Sequence, residues 1–167
     1  MTTLESGTPE FWEERLIRLW RGHIPLAAAM EVSIARIDAG GLELTAPLQP
    51  SANHMGTAFG GALQALATLA GWGVSMIAAG PAFDGHMVIA ESRMRFLAPV
   101  PGPLHARCAF PPEFRQRAFR SRIAERGRAR LDLEVIIGEN GGASGTRDQA
   151  RFEGRFVALA ARHAAAE

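Results

Sequence analysis

The sequence feature that most restricts the possible folds is the stretch from Ser51 to Gly80, SANHMGTAFGGALQALATLAGWGVSMIAAG, which contains no acidic residue and no arginine. Turn-forming residues and glycines open it, and the pair Gly60-Gly61 comes just before a long apolar run. That run predicts a helix that is apolar on nearly every side. Such a helix either crosses a membrane or forms the buried centre of a small domain.

The polar residues of this predicted helix favour the buried alternative. At about 100° per residue, Gln64, Thr68 and Ser75 fall within roughly 40° of one another. A membrane span needs ~20 strongly apolar residues and gains nothing from a polar stripe, whereas this helix is diluted with Ala and Gly. We therefore expect no membrane span, but a core helix with a sheet on one side and a pocket or a second subunit on the other.

Alternation of apolar and polar residues predicts strands on both sides of the helix. Two alternating segments precede it, over about 32–37 and 42–46, and four follow, over about 86–97, 104–110, 130–137 and 151–156. Two other helices are predicted, a short one over about 9–22 that Thr8 caps and an arginine-rich one over 113–125, while the Ala-rich tail 158–166 is expected to fray. This order predicts an α+β fold in which an antiparallel sheet wraps around one long central helix. Because one sheet leaves the polar stripe uncovered, a second copy of the chain is its simplest cover.

Composition limits the class of protein. A chain of 167 residues suits one domain, here with a core over about 25–160. Its formal net charge of +1 argues against nucleic-acid binding, and its single Cys108 excludes an internal disulfide. No His, Cys or Asp spacing suggests a metal site, and residues 1–5 lack the basic start of a secretory signal. The composition therefore predicts a cytoplasmic protein without a metal.

Basic residues are concentrated in one segment. All 18 are arginines, and seven of them lie between positions 115 and 130. They either form a solvated helix and strand surface or bind phosphate or an acidic partner protein, since guanidinium groups bind phosphate with two hydrogen bonds. Arg120 and Arg122 are the candidates for substrate binding.

Several segments resemble a known family. The loop NHMGTAFGG, the helix ALATLAGW, the strand ESRMRFLAPV and the late strands GRARLDLEV and FEGRFVAL are similar to the hotdog-fold thioesterase superfamily, and most similar to the family represented by the C-terminal domain of YiiD. The similarity covers about residues 25–160. It implies a hotdog fold, a homodimer or homotetramer, and an acyl-coenzyme A or acyl-carrier-protein thioester bound at the subunit boundary, with no cofactor beyond this substrate.

The glycine-rich start of the helix suits such a substrate. Unpaired backbone N–H groups and the positive end of the helix dipole can stabilise a thioester carbonyl that gains negative charge, which makes Gly61 a catalytic candidate. The neighbouring Gly56, Phe59 and Gly60 are candidates for substrate contact, because glycine allows a close approach to the backbone. The alternative is a tight loop that needs glycine for its turn alone.

The sequence departs from related PaaI-type enzymes at two positions. Where those enzymes carry a His before the double glycine and a carboxylate seven residues after it, this chain has Phe59 and Thr68. The predicted helix contains no acidic residue, so the usual activating carboxylate is missing. Asn53, which matches the PaaI-type loop, either holds the thioester oxygen or a water or bonds only its own turn.

Other side chains must then take the proton. Gln64 and Thr68 either position a water molecule or bond only locally. His54 in the loop is one candidate base, or is merely exposed; Glu91 on the following strand is another, or pairs with Arg93 or Arg107. Two functions remain open: a thioester hydrolase, or a non-hydrolytic acyl-thioester binding module or accessory domain in fatty-acid metabolism. A hydratase is a weaker third alternative, because its expected Asp and His are not both present.

Overall fold

The long apolar stretch forms one helix, and six strands form the sheet that covers it. The computed structural model describes residues 7–138 and 147–161. In chain order the elements are α1 (Pro9–His23), α2 (Pro25–Ala29), β1 (Ser33–Asp38), β2 (Gly41–Ala46), a short 3₁₀ turn (Gln49–Ser51), α3 (Gly60–Ala79), β3 (His86–Phe96), β4 (Leu104–Ala109), α4 (Glu113–Arg126), β5 (Arg128–Gly138) and β6 (Asp148–Leu159).

The sheet is antiparallel throughout, with the strand order β1-β2-β4-β5-β6-β3. Helix α3 packs against β2, β3, β4, β5 and β6 on one face. On β5 and β6 alternate residues point toward it, so that Leu131, Val135, Phe152 and Phe156 are buried. The predicted antiparallel sheet around a long central helix is therefore confirmed.

Helix α3 is an internal helix, not a lipid-facing one. It is the one helix in the described part of the chain that is long and apolar enough to cross a membrane, and 72% of its most apolar window is buried inside the protein. Its glycines allow this close packing: a Cβ at Gly71 would lie 2.5 Å from the ring of Phe156, and one at Gly73 would lie 2.5 Å from Leu42.

The polar stripe of α3 lies open only along its first half. Gln64 is exposed at the edge strand β3, and its side-chain nitrogen lies 3.4 Å from the hydroxyl of Ser92. Seven residues further along the helix, Gly71 already packs against Phe156 of β6. The next polar residue of the stripe, Ser75, is buried and donates its hydroxyl hydrogen to the Gly71 carbonyl (2.8 Å). The helix therefore crosses the sheet obliquely, and the prediction that Ser75 faces a pocket or subunit is wrong in this protomer.

Strand β3 differs from its predicted alternation. Ile89 lies opposite the buried Phe156, but Ser92 lies opposite the buried Gly154, because an irregularity at Ala90 adds one residue between them. Residues directly opposite each other in an antiparallel pair share a face. Consequently Met87 and Ile89 face α3 together with Ser92, Met94 and Phe96, and not the outer side as a uniform alternation predicts.

Two smaller predictions also need correction. The five-residue helix α2 was not predicted, since Pro25 appeared only to end α1. Ala158 and Leu159 belong to β6 and are held by pairs with β5 and β3, so the frayed tail does not begin there. The predicted loop at 139–146 and the tail from 162 onward lie outside the described residues.

Strand β3 forms an open edge of the sheet. It is the last strand in the order, and nine of its eleven residues are exposed. Ile89 and Phe96 expose 37% and 56% of their surface although they face the same side as α3. An edge strand with apolar residues and unpaired backbone groups is a template for pairing with another chain.

Candidate functional site

The candidate site combines the loop 52–59, the first turns of α3 and the end of β3. Asn53 organises the loop: its side-chain oxygen accepts hydrogen bonds from the backbone N–H groups of Met55 (2.8 Å) and Thr57 (3.3 Å), and its amide donates to the Thr57 hydroxyl (3.1 Å) and the Ala58 carbonyl (3.4 Å). Gly56 has a left-handed backbone with φ of 74° at the exposed tip. In this protomer the Asn53 amide therefore bonds within its own turn, and its predicted contact with substrate or water stays a prediction.

The loop leads directly into α3, and the first N–H groups of this helix are free to donate hydrogen bonds. The N-cap residue is Phe59, whose side chain makes no capping hydrogen bond. The Phe59 carbonyl accepts from Ala62 and Leu63, whereas the N–H groups of Gly60 and Gly61 have no acceptor among the residues that the structure describes. Because the positive end of the helix dipole is added to these free donors, this position favours an oxygen that carries negative charge.

Aromatic side chains flank this helix start. The Phe96 ring at the end of β3 lies 3.2 Å from where a Cβ of Gly60 would stand, so glycine is what lets the ring approach the helix. Phe59 lies over Gly61 and keeps 60% of its surface exposed, and Met55 at the loop tip exposes 73%. The free N–H groups are therefore bordered by exposed apolar side chains, which suits a ligand that is apolar beside a polar carbonyl.

The open part of the stripe offers acceptors, not bases. The Thr68 hydroxyl donates its only hydrogen to the Gln64 carbonyl (2.9 Å), which leaves its oxygen lone pairs to accept. Gln64 lies one helical turn nearer the free N–H groups and beside Ser92. These side chains can orient a water molecule, but neither can take its proton at neutral pH.

The two candidate bases lie in different parts of the structure. His54 is exposed on the loop, and its side chain has no hydrogen-bond partner in the part of the chain that is described. Glu91 points to the outer face, where its carboxylate accepts from Arg155 at 2.7 Å. The predicted alternative of an ion pair with Arg93 or Arg107 is therefore replaced by Arg155. His54 therefore belongs to the loop that precedes the helix start, whereas Glu91 lies on the sheet face opposite α3.

The two arginine candidates lie on α4, and only Arg120 is shown in contact with the far end of α3. Arg120 donates to the Ala78 carbonyl at 3.2 Å, which is 18 residues and thus about 27 Å along the helix from Gly60. Arg122 is exposed on α4. Neither borders the helix start of its own chain.

Two site residues were missed by sequence reasoning. Ser92 and Phe96 reach the open stripe and the glycine pair. Uniform alternation placed both on the apolar face of the strand, but it could not show which part of α3 that face meets. Cys108, the only cysteine, is no alternative nucleophile, since burial raises the pKa of its thiol to about 12. The described residues contain no group of His, Cys, Asp and Glu that could hold a metal ion.

Replacing Asn53 with alanine is expected to lower the free energy of unfolding by about 1–2 kcal/mol, because the loop N–H groups of Met55 and Thr57 lose their acceptor. Urea unfolding followed by fluorescence measures the change. His54→Ala is the matched control. Because that neighbouring side chain is exposed, its removal should change the free energy of unfolding by less than about 0.5 kcal/mol. Equal stability of both variants would contradict a structural role for Asn53.

Comparison with known proteins identifies a family and several solved structures that this chain resembles. Residues 13–160 match the family model described as "Putative thioesterase (yiiD_Cterm)". A protein of unknown function from Chlorobaculum tepidum is 30% identical with a TM-score of 0.87, over 93% of this chain and 99% of the other. A putative thioesterase from Shewanella oneidensis is 28% identical with a TM-score of 0.77, over 90% of this chain and 99% of the other. A thioesterase from Haemophilus influenzae, at 16% identity and a TM-score of 0.65 over 96% of each chain, shares the fold. The predicted hotdog fold is confirmed.

Proposed function

Since the chain belongs to the thioesterase family whose model spans residues 13–160, we propose that it hydrolyses an acyl-coenzyme A or acyl-carrier-protein thioester at a site shared by two copies of the chain. We further propose that the protein is a homodimer or homotetramer and works in the cytoplasm. The observation that carries the proposal is the pair of free N–H groups at the start of α3.

These N–H groups supply the stabilisation that thioester hydrolysis needs most. Attack of water on the carbonyl moves negative charge onto its oxygen, and fixed backbone donors near that oxygen stabilise this charge without having to reorient. Gly60 and Gly61 lack side chains that would cover the donors. The exposed rings of Phe59 and Phe96 border the same position and can exclude water around the thioester.

The face of β6 beneath α3 is densely packed. The side chains of Phe152 and Phe156 are fully buried, and both lie close to Gly154. An acyl chain bound at Gly61 therefore lies along the open stripe past Gln64 and Thr68. A second copy that pairs with the β3 edge would cover this groove, and the exposed Ile89 and Phe96 supply apolar surface for that contact.

The polar stripe and the candidate bases act on the attacking water. Thr68 and Gln64 accept hydrogen bonds from the attacking water and orient it, whereas His54 or the partner's Glu91 takes the proton. Glu91 faces away from its own site. Its use therefore requires a further subunit that packs on that outer face, because edge pairing of two β3 strands leaves Glu91 there, while His54 can act within its own chain.

The test is steady-state hydrolysis of short, medium and aromatic acyl-coenzyme A substrates by the wild type and by Thr68→Val, His54→Ala and Glu91→Gln. We expect turnover by a species that sediments as two or four chains, and a loss of about 10²-fold or more for whichever variant removes the base. Thr68→Val should lose activity by roughly tenfold, because one hydrogen bond to the water is gone. Ser121→Ala, an exposed hydroxyl on α4, is the matched control.

The second candidate, a non-hydrolytic acyl-thioester binding module, is favoured by one observation. Helix α3 carries no carboxylate, so the stripe offers no general base at neutral pH. The Thr68 hydroxyl donates its hydrogen to the Gln64 carbonyl and has no base on that helix to activate it as a nucleophile. Binding of acyl-coenzyme A without consumption, unchanged by Thr68→Val, would support this function. Hydrolysis that Thr68→Val reduces would reject it, and the absence of both turnover and binding in a folded dimer would reject both.

A further inference from the structure

The outer face of the sheet carries a cationic groove with an apolar floor. Strand pairing sets Arg128 beside Leu159 and Arg130 beside Val157, and Val88 of β3 flanks Val157 on the other side. Leu159 and Val157 are half-buried, and Val88 is exposed. Two arginines and three aliphatic side chains therefore form adjacent rows near the start of β5.

Helix α4 adds a second cationic wall. Arg122 and Arg126 line the same groove as Arg128 and Arg130, and its volume is about 530 Å³. Glu91 and Arg155, which pair with each other at 2.7 Å, also border it. Among the residues that the structure describes, none of the four guanidinium groups has a carboxylate within 4 Å. We call these four side chains, with Val157 and Leu159 as their aliphatic floor, the arginine groove.

The neighbouring arginine on the outer face of the sheet does form ion pairs. Arg155 lies between Asp132 and Glu91, at 2.8 Å and 2.7 Å, so its charge is compensated. Glu91 borders the arginine groove, but its carboxylate is bound to Arg155, so the four arginines keep a surplus of positive charge and repel one another unless an anion binds. Guanidinium groups suit phosphate oxygens in particular, since they can donate two parallel hydrogen bonds.

Size and floor favour a small ligand over a protein. Small-molecule sites commonly have volumes of about 300–1,000 Å³, whereas a stable protein interface needs roughly 800 Å² from each partner. The aliphatic floor suits a flat, weakly polar group such as a nucleobase, and the arginine walls suit its phosphates. We propose that the arginine groove binds a nucleoside that carries two or more phosphate groups.

Two sources can supply this chemistry: a free nucleotide, or the coenzyme end of the thioester substrate, which rests on the function proposed above. Within one chain the groove and the helix start are far apart, because Val88 and Phe96 are eight residues and about 26 Å apart along β3. In an antiparallel pair of β3 strands, however, the beginning of one strand lies beside the end of the other. The groove of one chain would then lie level with the helix start of its partner but on the opposite face, so the coenzyme source requires the substrate to reach around the end of the paired strands.

The experiment is calorimetric titration of the full chain with coenzyme A, adenosine 3′,5′-bisphosphate, ATP and inorganic phosphate. The test variant is Arg128→Gln with Arg130→Gln, which keeps size and polarity but removes two charges. The matched control is Arg18→Gln with Arg21→Gln, which removes two exposed charges from α1. We expect binding of at least one nucleotide that weakens at least tenfold in the test variant, weakens with added salt, and is unchanged in the control.

Hydrolysis identifies the source. If the ligand is the coenzyme end, the test variant raises KM for an acyl-coenzyme A at least tenfold but leaves KM for the matching acyl-pantetheine thioester, which lacks the nucleotide, unchanged. If both KM values stay unchanged while ATP binding is lost, the source is a free nucleotide. Nucleotide binding that is absent, or equal in both double variants, overturns the proposal, as does binding of an acidic carrier protein alone. None of these binding results depends on whether the protein hydrolyses thioesters.

Discussion

Replacing Gly61 with valine is expected to lower kcat/KM for thioester hydrolysis by about 10²–10³-fold, the loss typical when one donor to a developing oxyanion is removed. A valine side chain at this position would cover the free N–H groups at the start of α3. Its Cβ would contact the ring of Phe59, but that ring is largely exposed and can rotate away. Stability should therefore change little while activity is lost.

The measurement is kcat/KM together with thermal unfolding of the same preparations. Gly22→Val is the control, because a Cβ at Gly22 on α1 would meet no atom within 4 Å and the position is far along the chain from the site. Retained activity in Gly61→Val would show that the helix start does not bind the reacting carbonyl. A large fall in melting temperature would instead indicate that Phe59 cannot move.

Replacing Gly71 with valine is expected to destabilise the fold by about 2–3 kcal/mol through overpacking. Its Cβ would lie 2.5 Å from two carbons of the Phe156 ring, and that ring is fully buried and has no space to move into. For a chain of this size such a loss lowers Tm by roughly 5–10 °C. Differential scanning calorimetry or urea unfolding measures it.

Gly22→Ala is the matched comparison and should change stability in the opposite direction. It is also a helical glycine, but its surroundings are open, so alanine is expected to add up to about 1 kcal/mol through helix propensity and a less flexible unfolded chain. A Gly71 variant as stable as the wild type would mean that α3 can move away from β6.

The sequence could predict the centre of the fold because its strongest signals are local. The apolar run to Gly80 and the alternation on β5 and β6 depend only on spacing, and they gave the helix, the strands and the antiparallel sheet. Thr8 was likewise predicted as a cap from its own neighbours, and its hydroxyl accepts from Phe11 at 3.3 Å. The position of Gly60-Gly61 just before the apolar run also predicted the open N–H groups, since glycine has no side chain that could cover them.

Other features depended on contacts between distant segments. The irregularity at Ala90 changes which β3 side chains face α3, and only the pairing with β6 reveals it. The partner of Glu91 is Arg155, 64 residues away, and Arg120 reaches back 42 residues to Ala78. Spacing along the chain cannot identify such partners, which is why the candidate bases and arginines could be named but not placed.

The open edge of β3 also bears on aggregation. Unpaired backbone groups on an exposed strand invite indiscriminate strand addition and aggregation, and charged side chains on such strands oppose it. On β3, Glu91, Arg93 and Arg95 interrupt the apolar residues. A foreign strand that docks here must accommodate charges of both signs, so the edge admits few partners and discourages fibrous assembly.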